Sequence, residues 1–169
     1  MFDKGKFAEI HEFYSKIKNE LQNLGFEITN EDLNRPWGAF FCINENQAQA
    51  FSDFFFGALD VNKLKINGKL SPKVLMVKPN MKLSWQYHNR RAEIWQVYKG
   101  VVGVIQSPTD RQGPIEIFNP GDQIKLQQGI RHRLVGLKHF GVVAEIWQHT
   151  DPVPSDEDDI IRIQDDFGR

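Results

Sequence analysis

The chain has 169 residues, 40% hydrophobic and 25% charged, enough for one buried core and ordinary for a globular domain. A net charge of −1 argues against a generally basic nucleic-acid-binding surface, and a single cysteine, Cys42, excludes an internal disulfide and fits a reducing compartment. No stretch is apolar for long enough to span a bilayer and the charged N-terminus lacks a signal-peptide core, so no membrane partner is expected and the cytoplasm is the default.

Phe7, Ile10, Phe13, Tyr14, Ile17, Leu21 and Leu24 recur at three- and four-residue steps, which predicts an amphipathic helix over residues 4–24. Gly25 is its natural stop. The helix is expected to pack on the rest of the chain rather than on a partner. Arg35-Pro36-Trp37-Gly38 then breaks the pattern before a strand-like Ala39-Phe40-Phe41-Cys42-Ile43. Residues 46–58, with Phe51, Phe54, Phe55 and Phe56, read as a short aromatic helix or surface excursion that caps a barrel.

From Lys73 onward the signal turns to strands. Val74-Leu75-Met76-Val77 and residues 93–98, 101–106, 115–118, 123–126, 132–135 and 142–147 are short runs rich in β-branched and aromatic residues. Gly, Pro and Asn separate them, as in Asn119-Pro120-Gly121-Asp122. Many short strands without intervening helices predict a sandwich or barrel. Thirteen Phe and four Trp suit a barrel packed inside and outside. Asp156-Glu157-Asp158-Asp159 reads, by itself, as solvated surface. Three units are expected: a helical extension (1–33), a barrel (34–150) and a tail packing on it (151–169).

The chemistry is concentrated in Gln86, His88, Glu93 and His132. Residues i and i+2 of a strand share a face, so Gln86 and His88 can aim at one point. Asn89-Arg90-Arg91-Ala92 is a plausible turn, after which Glu93 starts a return strand. His132 arrives from a distant strand, placed by the turn that Gly129 allows. Two imidazoles, a carboxylate and an amide oxygen suit one divalent ion, zinc first, with manganese, nickel or iron as alternatives. A lone His or buried Glu has a purely structural reading; four donors at these offsets from Gly100, Gly121 and Gly129 are harder to reach by accident. The spacing is the two-motif pattern of the cupin superfamily, with Gln86 in place of the usual first His and Asn80 in place of the usual first Gly. The expected fold class is therefore all-β, a double-stranded β-helix (jelly-roll barrel) with an N-terminal amphipathic helix.

Further stretches narrow the resemblance. Arg35-Pro36-Trp37-Gly38, Leu83-Ser84-Trp85-Gln86-Tyr87-His88, Arg91-Ala92-Glu93-Ile94-Trp95, Gly129-Ile130-Arg131-His132-Arg133 and Glu157-Asp158-Asp159-Ile160-Ile161-Arg162 occur in one order, and Asp165-Asp166-Phe167-Gly168-Arg169 closes the chain. Residues 34–169 resemble the isomerase domain of type II mannose-6-phosphate isomerases, often fused behind a mannose-1-phosphate guanylyltransferase domain. No Gly-rich phosphate-cradling stretch of the transferase half is present. The resemblance implies metal ligands at Gln86, His88, Glu93 and His132. It puts the family's basic residue after the last metal His at Arg133, expected to be catalytic. Arg35 and Trp37 of its Arg-Pro-Trp-Gly entry, with Arg91 and Arg131, are expected at the substrate. The family's usual run of three His is here His88-Asn89-Arg90, the residue after Glu93 is Ile94 where His is often found, and Gln127 and Gly136 replace the usual Pro and Asn. None of these removes a ligand, but imidazoles are expected to be missing from the mouth of the site.

The implied activity is metal-dependent aldose–ketose isomerisation of a hexose phosphate, of the mannose 6-phosphate/fructose 6-phosphate type, through a cis-enediolate. The alternatives are a non-catalytic metal-containing cupin that binds a sugar or sugar phosphate, an isomerase for another sugar, and an iron oxygenase. The proton carrier is open: Glu93 is engaged if it ligates, and His139 and His149 have surface readings. Strict strand alternation would put Arg131 and Arg133 on the face opposite His132. A homodimer is expected, through sheet edges and the Phe-rich segment.

Overall fold

The computed structural model describes residues 4–57, 59–64 and 69–168. Ala58, the expected end of the aromatic segment, and the closing Arg169 lie outside the described residues. Helix α1 (Lys4–Asn23) ends within a residue of its expected stop, and Gly25 follows with φ +88°. Strand β1 (Ile28–Arg35) and strand β2 (Gly38–Ile43) form a hairpin. A 3-10 turn leads into α2 (Ala48–Phe56) and the short α3 (Val61–Leu64). The strands that follow are β3 (Lys73–Val77), β4 (Trp85–Tyr87), β5 (Arg91–Lys99), β6 (Val102–Ser107), β7 (Glu116–Phe118), β8 (Gln123–Leu126), β9 (Arg131–Gly136), β10 (Gly141–His149) and β11 (Ile161–Gln164).

Two antiparallel sheets face each other as a jelly roll. One runs β1-β2-β3-β10-β5-β8 and the other β11-β4-β9-β6-β7. Alternation decides which way each side chain points. On β3 and β10, Val74, Met76, Val142, Ala144 and Ile146 turn outward, where they meet Tyr14, Ile17 and Leu21 of α1 and Phe51, Phe55 and Phe56 of α2. Their neighbours Leu75, Val77 and Val143 turn inward to Trp95, Val97, Val102, Val104 and Leu134. The large sheet is thus buried on both faces, which explains its near-continuous apolar strands. Each fully buried large side chain is worth about 1.5–3 kcal/mol, so α1 is held chiefly by this packing.

The expectation that the Phe-rich segment offers a dimer surface is corrected here. Phe51, Phe55 and Phe56 are buried against the chain's own sheet, and only Phe54 is largely exposed. The expected boundary near residue 33 falls inside β1, which belongs to the large sheet, and the tail supplies β11 to the small one. Strand β1 (Ile-Thr-Asn-Glu-Asp-Leu-Asn-Arg) was not expected: an edge strand paired only with β2 shows no apolar alternation. Asn80 adopts φ +60°, so its replacement of the usual Gly keeps the left-handed turn that Asn tolerates better than other side chains. Among the described residues, no helix is long and apolar enough to cross a membrane.

Candidate metal centre

The two motifs meet because β4 pairs β9, with Gln86 directly opposite His132. The amide N–H of Gly129 donates to the His88 carbonyl at 3.1 Å, tying the second motif's turn to the first. Glu93 comes from β5, across the jelly roll. His88, Glu93 and His132 are all buried, and one ligand atom from each lies within 4.8 Å of the others. His88 Nε2 is 3.0 Å from Glu93 Oε1, and His132 Nε2 is 3.5 Å from Glu93 Oε2.

Hydrogen bonds behind the imidazoles fix which nitrogen faces inward. His88 Nδ1 donates to the main-chain carbonyl of Asp159 at 2.6 Å, and His132 Nδ1 to that of Ile130 at 2.9 Å. Both rings therefore turn an Nε2 lone pair toward Glu93, the arrangement by which proteins orient metal-binding histidines. His132 Nε2 makes no hydrogen bond although buried. Burial pushes the His88 pKa down, against the pull of Glu93, keeping its ring in the neutral form that a metal needs. Burial alone would raise the Glu93 pKa, but the Arg91 guanidinium and the two imidazoles beside it outweigh burial and hold the carboxyl well below its usual range. Two imidazoles that turn Nε2 inward, one of those nitrogens without a partner, and an ionised carboxylate fit a divalent ion.

Gln86 lines the same cavity, and its amide oxygen accepts from the Ser84 hydroxyl. Asp159 holds the centre from behind. Its carboxylate takes the main-chain N–H groups of Asn89 and Arg90 at 3.0 and 2.9 Å and the Ser155 hydroxyl at 2.7 Å. The acidic stretch expected as solvated surface is therefore partly a strap. Asp159 is 4% exposed, and Glu157 pairs with the buried Lys73. Nothing local in the sequence marks this, because the partners lie some 70 residues away.

Gln86 and Glu93 line a cavity of about 340 Å³, with His88 and His132 behind them. Its wall includes Trp37, Phe40, Trp95 and Trp147, the cations Arg35, Lys73, Arg91 and Arg162, and the acids Glu93, Glu145, Glu157 and Asp158. Arg35, Trp37 and Arg91, the expected substrate contacts, all line this cavity. Arg91 is also a structural partner: its Nε donates to Glu93 Oε1 at 2.8 Å, its Nη2 to His88 Nε2 at 3.3 Å, and its guanidinium lies 3.7 Å from the Trp147 ring centroid.

Arg131 and Arg133 do not line the cavity. Alternation on β9 sends both to the face opposite His132, as strict pairing requires. Arg133 is fully buried there, donating from Nε to the Leu83 carbonyl at 2.8 Å, with Nη2 3.6 Å from Asp166. Arg131 pairs with Asp110 at 2.8 Å and lies over Tyr87. The catalytic place expected for Arg133 and the substrate place expected for Arg131 are corrected by this geometry. The feared loss of an imidazole at Ile94 is also corrected: its side chain points outward into the core beneath α1 and α2. Sequence reasoning missed Lys73, Glu145, Trp147 and Arg162. For Glu145 a signal existed, since period two places it on the same inward face as Val143 and Trp147.

The comparisons agree with this picture. The family model described as "Mannose-6-phosphate isomerase C-terminal" matches residues 55–165. The mannose-1-phosphate guanylyltransferase of Salmonella montevideo is 26% identical over 162 residues, covering 95% of this chain and 28% of the relative. The xanthan biosynthesis protein XanB of Xanthomonas campestris pv. campestris is 27% identical over 168 residues, covering 98% and 29%. The chain thus spans less than a third of the length of these relatives. Among solved structures, oxalate decarboxylase from Bacillus subtilis superposes with a TM-score of 0.56 at 14% identity, over 79% of this chain and 30% of that one. That likeness shows a shared cupin fold. With the family match over more than half its length, the chain belongs to the mannose-6-phosphate isomerase C-terminal family of cupin domains.

Proposed function

We propose that the protein is a metal-dependent aldose–ketose isomerase acting on a hexose phosphate, with mannose 6-phosphate and fructose 6-phosphate as the first pair to try. The observation that carries the reading is the buried His88–Glu93–His132 centre, whose Glu93 lines a cavity with cationic and aromatic walls. A volume near 340 Å³ falls within the range of small-molecule sites, about 300–1,000 Å³. Gln86 would complete the ligand set with its amide oxygen.

When bound, a divalent ion, zinc first by its donor set, would supply Lewis-acid stabilisation of charge developing on the sugar oxygens. The chain's own residues do the rest. Trp37 and Trp147 give the cavity aromatic walls for the apolar side of a sugar, and Glu157 and Asp158 of the strap form one flank of it. Arg162 lines the cavity and forms no ion pair among the described residues, whereas Lys73, Arg91 and Arg35 are paired with Glu157, Glu93 and Asp32. A free guanidinium at an exposed rim suits a phosphate group, which it can grip with two parallel hydrogen bonds.

The family match supports a sugar-phosphate substrate. The guanylyltransferase name belongs to relatives more than three times as long, so it assigns no transferase activity to this chain. The test is a panel of aldose and ketose phosphates incubated in D₂O with zinc- or manganese-loaded protein, with and without chelator. Deuterium entering at the sugar's C1 or C2, lost on chelation, is the expected result. Binding of the same sugars without exchange would instead make the protein a sugar-phosphate-binding cupin.

A further inference from the structure

Isomerisation needs a group to move the proton, and none of the sequence candidates serves. Glu93 already takes the Arg91 Nε–H on one oxygen and the Trp95 Nε1–H on the other, and it faces both imidazoles of the centre. His139 is exposed and His149 is fully buried, with Nδ1 accepting from the Ser155 N–H, and neither lines the cavity.

We infer that Glu145, a buried carboxyl in the cavity wall held by two indole N–H groups, is the catalytic residue that carries the proton between C2 and C1. The inference rests on the isomerase reading. Glu145 lies on β10 opposite Trp95 and is 5% exposed. Trp147 Nε1 donates to its Oε1 at 2.6 Å, and Trp95 Nε1 to its Oε2 at 3.0 Å. The same Trp95 N–H lies 3.0 Å from Glu93 Oε2, so one indole fixes the wall carboxyl relative to the metal-centre carboxylate. Rigid neutral donors orient a carboxylate with less loss of basicity than an Arg or Lys ion pair would cause. The charged groups facing it are Lys73 on β3 and Arg91 and Glu93 on β5, and both cations are paired elsewhere, with Glu157 and Glu93. Burial first, and then the charge of Glu93, push its pKa up to about 7 against the pull of Lys73 and Arg91. A base poised near neutral pH is suited to give back the proton it takes.

The step balances within the sugar. The Glu145 carboxylate removes the C2 proton of the open-chain aldose. The C2–H electron pair forms the C1–C2 double bond, and the carbonyl π pair moves onto O1, giving the cis-enediolate. Glu145, now protonated, delivers the proton to C1 while the O2 proton passes to O1 and C2 becomes the carbonyl carbon. C1 is reduced as C2 is oxidised, so no external redox partner is needed.

The test uses zinc-loaded full-length protein with mannose 6-phosphate and fructose 6-phosphate. Glu145→Gln keeps the shape and removes the base; Glu145→Asp keeps the carboxyl at a shorter reach and guards against misfolding of the first variant. The expected loss in kcat is about 10²-fold or more for Glu145→Gln, with partial recovery in Glu145→Asp. Zinc content and fructose 6-phosphate binding by calorimetry should stay near wild type. The limb of the wild-type pH profile that reports Glu145 should vanish in Glu145→Gln and move in Glu145→Asp. A wild type that exchanges protons and a Glu145→Gln variant that does so within tenfold, or with the same pH limb, would overturn the role while leaving the isomerase reading standing. A wild type that binds fructose 6-phosphate and exchanges nothing overturns both, and is recognised by the absence of any rate to lose.

Discussion

Glu93→Ala should cost the protein its metal and several kcal/mol of stability together, whereas His132→Ala should cost chiefly the metal. Glu93 takes the Nε of Arg91, and both side chains are only 3% exposed. Removing the carboxylate leaves a guanidinium buried without its partner, a change that typically costs about 3–5 kcal/mol. In a domain of this size each kcal/mol lowers the melting temperature by roughly 2–4 °C. His132 Nε2 makes no hydrogen bond, so removing that ring forfeits the Nδ1 contact and its packing beside His88 and Trp95. Thermal melts with and without added zinc separate the effects. The wild-type midpoint should rise with zinc and neither variant's should, while Glu93→Ala starts well below His132→Ala. The pH dependence has a fixed sign. The folded Glu93 pKa lies well below 4.5, so its stabilisation is complete above the unfolded value and fades as pH falls through the folded one.

The second large effect is expected at Gly38, far in sequence from any ligand. An added Cβ would lie 1.8 Å from the Met76 carbonyl oxygen and 2.9 Å from its carbon. Those atoms are main chain of β3, paired with β2 on one side and β10 on the other, so they cannot swing away as a side chain would. Gly38→Ala must therefore pry β2 from β3, breaking the Lys78 N–H to Trp37 carbonyl bond nearby and shifting Trp37 and Arg35 in the cavity wall. Destabilisation of about 4 kcal/mol or more is expected, in the range reserved for backbone or core disruption. Urea unfolding measures it, and an unfolding free energy within about 1 kcal/mol of wild type would mean that the two strands can slide apart freely.

Much of the fold was legible because its strands alternate with turns that carry Gly, Pro and Asn. Helix α1 was bounded to within a residue by its apolar spacing and Gly25. What escaped has common physical causes. β1 and β11 are short or polar edge strands whose pairing is decided by neighbours rather than by their own patterns. Asp159 looks like surface until its partners, Asn89 and Arg90, fold onto it from the other end of the domain. At the centre, His88, Glu93 and His132 were legible as a spaced set, since period two fixes the face of each. Two cavity cations were not: Lys73 stands on an apolar strand, and Arg162 closes an acidic stretch that reads as surface, while Arg133 follows His132 in sequence and by strand alternation points away from the cavity. Glu145 sits in an apolar run and is visible only when inward positions are counted along β10.

The most direct test of the account is anomalous diffraction from crystals of the protein grown with zinc. It predicts one strong peak within about 2.0–2.3 Å of His88 Nε2, His132 Nε2 and a Glu93 oxygen, with the Gln86 amide turned toward it. Full zinc occupancy elsewhere on the molecule, with those three side chains still packed on one another, would contradict it.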